Sequence, residues 1–155
     1  MGTLMAYGPD VVGLPGGPMH GLVELWKNSN IGATFNAQSV QIDNVDIDKI
    51  DSFIIVTERI PNERYGSNFH LYDKEIMSIS GWTGYLDEYL WISASTSRMT
   101  VCERSIAFSI SGTTLTVTFG NCTSYEQTSL GSAVTQAAAN DKLMPVRILG
   151  LLHND

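Results

Sequence analysis

Charged side chains are scarce in this sequence, and positive ones are the scarcer. Only 16% of the 155 residues are charged, with 9 Lys and Arg against 16 Asp and Glu, which gives a formal net charge of −7. No basic patch occurs along the chain. A protein that binds nucleic acid needs Lys and Arg to neutralise phosphates, so the composition predicts no nucleic-acid partner.

The chain also lacks a long apolar run. No stretch approaches the roughly 20 residues that a membrane-spanning helix requires, so we expect no membrane insertion. The first residues, Met1 to Tyr7, lack the basic region and the apolar core of a secretory signal. This predicts a protein that does not follow the classical secretory route.

Cysteine is rare. The two residues, Cys102 and Cys122, lie in segments predicted to be neighbouring strands, so a disulfide between them is geometrically conceivable. The alternative is a pair of buried, reduced thiols, which is favoured if the chain folds in the cytosol, where disulfides are rare.

Catalytic motifs are missing as well. The sequence has three histidines but no Gly-x-Ser-x-Gly elbow, no His-Glu-x-x-His pair and no phosphate-binding loop. His70 with Asp73 could form a base and its orienting carboxylate, but a strand histidine near the surface is the simpler interpretation. Two carboxylate pairs could serve a glycosidase: Glu58 with Glu63, and Asp87 with Glu88. Without a supporting motif, we expect no enzymatic activity, no catalytic residue and no cofactor.

A short acidic stretch raises the question of a calcium site. It contains four aspartates: Asp43, Asp46, Asp48 and Asp51. An EF-hand loop that began at Asp43 would have Val45 and Ile47 at its third and fifth positions, where oxygen ligands are needed. We therefore expect no metal here, and a loop or single helical turn with Val45, Ile47 and Ile50 packed beneath it.

The densest run of branched and aromatic residues is Ile50–Ile60, in which Phe53, Ile54, Ile55 and Val56 are consecutive. Successive side chains of a strand point to opposite faces, so this run is apolar on both faces. It is short and rich in β-branched residues, and Pro61 and Asn62 follow it. These features favour a strand over a helix. We predict a central strand that is covered on both sides.

Shorter patterns of the same kind recur along the chain. We predict strands at His20–Lys27, Phe35–Ile42, Phe69–Tyr72, Glu75–Ser80, Ser97–Val101, Ser105–Ile110, Thr113–Phe119 and Leu143–Leu152. Glu103 and Arg104 are interpreted as a tight link, and Gly120–Asp141 as a long connection that could contain a helical turn near Ala137–Ala139. The pattern predicts an all-β fold, an antiparallel, jelly-roll-like β-sandwich formed as one domain by residues 20–155.

The segment before the sandwich has a different composition. Residues 1–19 contain repeated Gly and Pro, which disfavour a helix because Pro removes a donor and Gly is costly to order. They are either a frayed terminus or an extended arm that docks on a neighbouring subunit or larger scaffold. The arm has six candidate apolar anchors: Leu4, Met5, Tyr7, Val11, Val12 and Leu14.

Aromatic residues concentrate in Gly81–Trp91. Flat rings bracketed by glycines can stack on sugars or form a contact at a protein interface, since they bury much area at low entropic cost. The candidate ligand-binding residues are Trp82, Tyr85, Tyr89 and Trp91. The alternative is that these rings lie in the core or cover one end of the sandwich.

The order of these patterns resembles a recurrent small domain of tailed bacteriophages. The resemblance is carried by Leu25-Trp26-x-Asn28, by Phe35-Asn36-Ala37-Gln38-x-Val40-x-Ile42, and by Ile50-Asp51 before the central strand. It continues through Arg98–Val101 and Ile106-x-Phe108 to the ending Pro145-x-x-Ile148-x-Gly150-Leu151. The family usually has an aromatic residue where this chain has Leu149, and commonly a Lys where it has Leu152.

The resemblance implies a virion structural protein, such as a terminal domain of a tail fibre or baseplate protein, or a decoration protein. Such domains are often trimeric, so the implied partners are other virion proteins and further copies of the chain, with a host glycan as a possible ligand. The implied location is the virion, assembled in the host cytoplasm, with a structural or host-attachment role. The alternative is a stand-alone carbohydrate-binding module that uses the aromatic residues of Gly81–Trp91.

Overall fold

A computed structural model describes residues 21–58, 67–93 and 98–153, without the side chains of residues 89–93. The arm predicted for residues 1–19 lies outside the described residues. The described strands are β1 (Leu22–Lys27), β2 (Gln38–Ile42), β3 (Ile50–Glu58), β4 (Ser67–Asp73), β5 (Gly84–Ser93), β6 (Arg98–Ser111), β7 (Thr114–Gln127), β8 (Thr135–Ala138) and β9 (Met144–Leu152). Two short 3-10 helices cover Ile47–Lys49 and Lys74–Ser78.

The strands form two antiparallel sheets that pack face to face. The first sheet has the order β1-β9-β3-β4, and the second has the order β2-β7-β6-β5, with β8 paired to the last part of β7. The first three strands alternate between the sheets, and the last strand returns to lie between β1 and β3. The predicted all-β antiparallel sandwich is confirmed.

The core lies between the sheets and is formed by inward-facing side chains of alternating positions. On β3, Phe53 and Ile55 are completely buried, and β3 itself lies between β9 and β4, as predicted for a central strand. The predicted cover on both sides is incomplete, because Ile54 on the outer face is only half-buried. Phe53 stacks on Phe108 of β6 with ring centroids 5.4 Å apart. From β7, Leu115 and Val117 also have no exposed surface. Each such side chain contributes about 1.5–3 kcal/mol through its removal from water.

The predicted link at Glu103–Arg104 is wrong, because β6 runs without a break from Arg98 to Ser111. The pair of charges looked like a turn, but Arg104 points inward and finds hydrogen-bond partners in the core. A register shift follows at once, between Arg104 and Ile106. The strand therefore bends at this position and does not end there.

Two further predictions on local structure need correction. The strand predicted for Glu75–Ser80 is largely the 3-10 helix Lys74–Ser78, whose first turn is capped by the Asp73 carboxylate accepting from the Glu75 amide at 3.0 Å. The helical turn predicted near Ala137 is part of β8, and β7 extends to Gln127, so the connection is much shorter than expected.

The single helical turn predicted for the acidic stretch is confirmed. Ile47–Lys49 is a single 3-10 turn, and the neighbouring Val45 and Ile50 are buried. Asp46 pairs with Lys49 at 3.2 Å on the surface.

Candidate functional site

Of the four aromatic residues predicted to bind a ligand, the structure describes the side chains of two, Trp82 and Tyr85. Tyr85 is 55% exposed. Trp82 is half-buried and packs edge-on against Tyr72, with centroids 5.8 Å apart, and against Phe108. The side chains of Tyr89 and Trp91 lie outside the described part of the structure. Trp82 therefore belongs to a cluster that covers one end of the core, which was the alternative interpretation.

Tyr85 lies on the outer face of the second sheet beside groups that the sequence did not bring together. Asp87 of β5 is paired with Glu103 of β6, and both point outward with Tyr85 by strand alternation. Tyr125 of β7 reaches Glu103, whose carboxylate, mainly by its charge and also by a hydrogen bond, raises the pKa of the Tyr125 phenol. We call Tyr85, Asp87, Glu103 and Tyr125 the tyrosine-carboxylate patch.

The tyrosine-carboxylate patch combines flat rings with hydrogen-bond acceptors on an exposed sheet face. Rings can cover an apolar face of a sugar, and carboxylates can accept hydrogen bonds from sugar hydroxyls. Sequence reasoning found Tyr85 but missed Glu103 and Tyr125, which come from β6 and β7. Glu103 could have been placed on the outer face from the sequence, because Val101, Glu103 and Ser105 alternate along β6 if that strand is continuous.

A chain of polar side chains crosses the interior between the sheets. The hydroxyl of Thr57 donates to Glu88 Oε2 at 3.4 Å and lies 3.0 Å from His70 Nε2. Because the single hydroxyl proton goes to Glu88, His70 must donate its Nε2 proton to Thr57. Burial lowers the pKa of His70, an effect that the charge of Asp87 opposes in part, so the neutral imidazole suits this role.

This polar chain does not have the geometry of a nucleophilic site. A nucleophile must be exposed to its substrate, whereas Thr57 has no exposed surface. Asp73, considered as the carboxylate that would orient His70, caps a 3-10 helix instead. The hydroxyl of Tyr72 donates to the Tyr85 carbonyl at 3.2 Å. These groups thus connect the two sheets through hydrogen bonds.

Arg104 is a second polar element of the interior and is completely buried. Its guanidinium donates to four backbone carbonyls at distances of 2.6–3.3 Å, those of Phe35, Gly120, Lys142 and Leu143. It also lies over the Phe35 ring, 5.3 Å from the centroid. One side chain therefore ties β6 to the segments before β2 and before β9.

Cys102 and Cys122 lie beside Arg104 as free, buried thiols. Their side chains hydrogen-bond to each other, and this bond raises the pKa of Cys102 and lowers that of Cys122, where the positive charge of Arg104 acts in the same direction. Of the two possibilities left by the sequence, the structure has the reduced pair.

The outer face of the first sheet has an apolar strip, which includes two large exposed side chains on the edge strand. Phe69 and Leu71 of β4 are 68% and 65% exposed. They stand opposite Val56 and Ile54 of β3, and Ile54 is in turn opposite Leu149 of β9. We call the following residues the apolar face: Ile54, Val56, Phe69, Leu71, Leu149 and Leu151. The alternation of Phe69 and Leu71 with polar neighbours was visible in the sequence, but their outward direction was not.

One side of the sandwich has two grooves between the edges of the sheets. A groove of about 600 Å³ is lined by Val23 and Leu25 of β1 and by Ile42 of β2, and it reaches Ile50. A second groove, of about 440 Å³, lies between the far ends of the same strands, near Lys27 and Gln38. In the described part of the chain, β1 pairs only with β9 and β2 only with β7. We call this the open side.

Residues 21–58, 67–93 and 98–153 contain no group of three or more His, Cys, Asp or Glu placed to hold a metal ion. Within these residues, no helix has the length and apolar character needed to span a membrane.

Comparison with protein-family models, with curated proteins and with solved structures found no match to this chain.

Proposed function

We propose that this protein is a bacteriophage virion structural protein, a β-sandwich that assembles with further copies and other virion proteins through its apolar face. The observation that carries the proposal is the exposure of Phe69 and Leu71, side by side on edge strand β4. Exposed apolar patches that adjoin a buried apolar surface are typical of protein interfaces. The resemblance to small phage domains supplies the virion context and favours a trimer.

The two exposed side chains would contribute part of the free energy of association. Complete burial of a Phe or Leu side chain yields about 1.5–3 kcal/mol, so covering the exposed two-thirds of both gives roughly 2–4 kcal/mol per copy. A two-fold contact uses the same patch twice, whereas in a trimer the patch of each copy packs against a different surface of the next copy. A stable interface also needs about 800 Å² on each partner, so surface around Phe69 and Leu71 has to be buried together with these two side chains.

The test is the mass of the full chain in solution, measured by size-exclusion chromatography with light scattering. We expect an oligomer for the unchanged chain. The double substitution Phe69→Ser with Leu71→Ser is expected to weaken association by about 30-fold or more, since each 1.4 kcal/mol is a factor of ten. Leu130→Ser is the matched control, because Leu130 is 86% exposed and lies outside the apolar face.

Two outcomes would count against this proposal. One is a monomeric unchanged chain at every concentration that can be reached. The other is an oligomer whose mass and dissociation are the same for the double variant and for the Leu130→Ser control.

A second candidate function, a carbohydrate-binding module, is supported by the tyrosine-carboxylate patch. The ring of Tyr85 and the carboxylates of Asp87 and Glu103 share one exposed face. A glycan array probed with the full chain is expected to give binding that Tyr85→Ala abolishes and Leu130→Ser retains. An array without signal, or a signal that Tyr85→Ala leaves intact, would remove this candidate. Binding together with oligomerisation would indicate a receptor-binding virion protein.

A further inference from the structure

Strand β4 is an edge strand without the features that usually prevent pairing with another chain. Its register with β3 runs without a shift from Ser67 to Asp73, and these seven residues include no Pro, Lys or Arg. Natural edge strands are protected by bulges, by Pro or Lys, or by being very short, because their free backbone groups can pair with another strand. In the described part of the chain, β4 pairs only with β3, so its other edge offers backbone donors and acceptors.

The other edge strands that the structure describes do have such protection. The registers of β1 with β9 and of β5 with β6 each contain a shift, after Glu24 and after Tyr89. Strands β2 and β8 have only five and four residues, and their exposed side chains are polar or are alanines. Among the described edges, β4 therefore combines the longest regular register with large exposed apolar side chains.

A strand added to this edge would lie in the plane of the first sheet. The Tyr72 hydroxyl donates to the Tyr85 carbonyl at 3.2 Å, so β5 lies beneath β4 in the other layer. Packed sheets are about 10 Å apart and neighbouring strands of one sheet about 4.8 Å apart, so the added strand would hydrogen-bond to β4 and not to β5. The first sheet would thus continue from one chain into the next.

The sequence of β4 is complementary to itself in one antiparallel register. With a two-fold axis at His70, Phe69 of each copy lies opposite Leu71 of the other. Ser67 then lies opposite Asp73, so no like charges face each other. The two copies of His70 stand opposite each other as neutral imidazoles at neutral pH, because burial lowers the pKa of His70. An axis at either neighbouring residue would leave one apolar side chain opposite a polar one.

We propose that two copies of this chain assemble by antiparallel pairing of their β4 strands, centred on His70, which joins their four-stranded first sheets into one continuous sheet. The backbone of β4 supplies main-chain hydrogen bonds, as in other cases of strand addition to a sheet edge. Phe69 and Leu71, 68% and 65% exposed in the single chain, pack across the two-fold axis. The inference rests on the proposed function, for which it names the partner surface, and it gives a two-fold pair where the resemblance favours a trimer.

Cross-linking between two preparations of the full-length chain tests the register. One preparation carries Ser67→Cys and the other Asp73→Cys, both at exposed positions, while the two native thiols are buried. In the proposed pair the two different new thiols lie opposite each other, whereas two copies of the same thiol lie six strand positions apart, roughly 20 Å. A short bismaleimide spans the first distance and not the second. The matched control mixes the Ser67→Cys chain with a Ser109→Cys chain, whose thiol lies on the exposed outer face of the second sheet.

We expect the equimolar mixture to give covalent dimers on a denaturing gel at about tenfold the yield of either preparation alone and of the control, because pairing raises the local concentration of the two thiols. A yield no higher than that of the Ser109→Cys control would overturn the strand pairing.

Hydrogen exchange of the unchanged chain tests the backbone pairing without any substitution. In a single sandwich, alternate amides of an edge strand point away from its neighbour and exchange fast. Pairing of β4 would protect these amides, so we expect exchange within Ser67–Asp73 to slow by about tenfold or more from dilute to concentrated solution. Packing of the apolar faces without strand pairing gives these amides no partner. Exchange that stays fast at concentrations where the oligomer forms would therefore overturn the inference.

The failure of this inference can be distinguished from failure of the proposed function. If light scattering shows an oligomer that depends on Phe69 and Leu71 while the cross-link stays at the control level and the β4 amides exchange fast, the strand pairing is wrong and the assembly function stands. If the unchanged chain is monomeric in light scattering at every concentration, the assembly function is wrong as well.

Discussion

Arg104 gives the sharpest test of how this sandwich is stabilised. We consider Arg104→Met, which has a long unbranched side chain but no donors. The substitution leaves the carbonyls of Phe35 and Leu143, both accepting in buried hydrogen bonds, without their partner. An unsatisfied buried polar group costs about 1–3 kcal/mol, so these two give roughly 2–6 kcal/mol. The carbonyls of Gly120 and Lys142 are only partly buried and add less.

That loss is large beside the 5–15 kcal/mol that typically stabilises a domain. Urea unfolding followed by circular dichroism measures it, and in a thermal scan the same loss lowers the Tm by about 4–20 °C for a chain of this size. Arg104→Lys is expected to recover only part of the stability, because one ammonium cannot reach four separated carbonyls.

The matched control is Arg98→Met on the same strand. Arg98 is an exposed arginine in an ion pair with Glu126 at 3.0 Å, so its loss is expected to cost no more than about 1 kcal/mol. An Arg104→Met variant that unfolds within about 1 kcal/mol of the unchanged chain would refute the reasoning, because it would mean that water replaces the guanidinium without cost.

Three further predictions concern the interior. Burial lowers the pKa of His70 in the folded chain below its ordinary value of 6.5, which the unfolded chain keeps. Between these two pKa values the unfolded chain binds more protons than the folded chain, so the free energy of unfolding decreases as the pH drops below 6.5. His70→Gln should flatten the decline in Tm between pH 7.5 and 5.5, and an equal slope in both proteins would contradict this. Thr57→Val removes the hydroxyl that connects His70 to Glu88, and we expect it to lower the free energy of unfolding by about 1–3 kcal/mol. A decrease near zero would show that the hydroxyl does not stabilise the fold. The thiols of Cys102 and Cys122 should react with a thiol reagent only after unfolding, and fast labelling of the folded chain would disprove their burial.

The sequence predicted the strands correctly where the local hydrophobic pattern matches the burial of the residues in the folded chain. The run around Phe53 is apolar on both faces and became a central strand, and the alternation of Leu115 and Val117 with threonine became the inner face of β7. In each case the hydrophobic pattern has the period of the strand that it forms.

The failures have a common cause in tertiary contacts. Arg104 looked like part of a turn because a charge inside a strand is expensive, and its cost is met only by carbonyls distant in sequence. Ala137 and its neighbours favour a helix by propensity, but pairing with β7 makes them a strand. The contact between Glu103 and Tyr125 was missed for a related reason, because these residues meet only across β6 and β7.

A photo-cross-link from position 71 tests the central claim, assembly through the apolar face, most directly. A photoreactive benzoyl-phenylalanine in place of Leu71 keeps a large apolar side chain at this exposed site on β4. Irradiation of the full-length protein should join it to a second chain, with Ser109 replaced in the same way as the control. Equal and low yields at both positions, across the whole concentration range, would contradict the account.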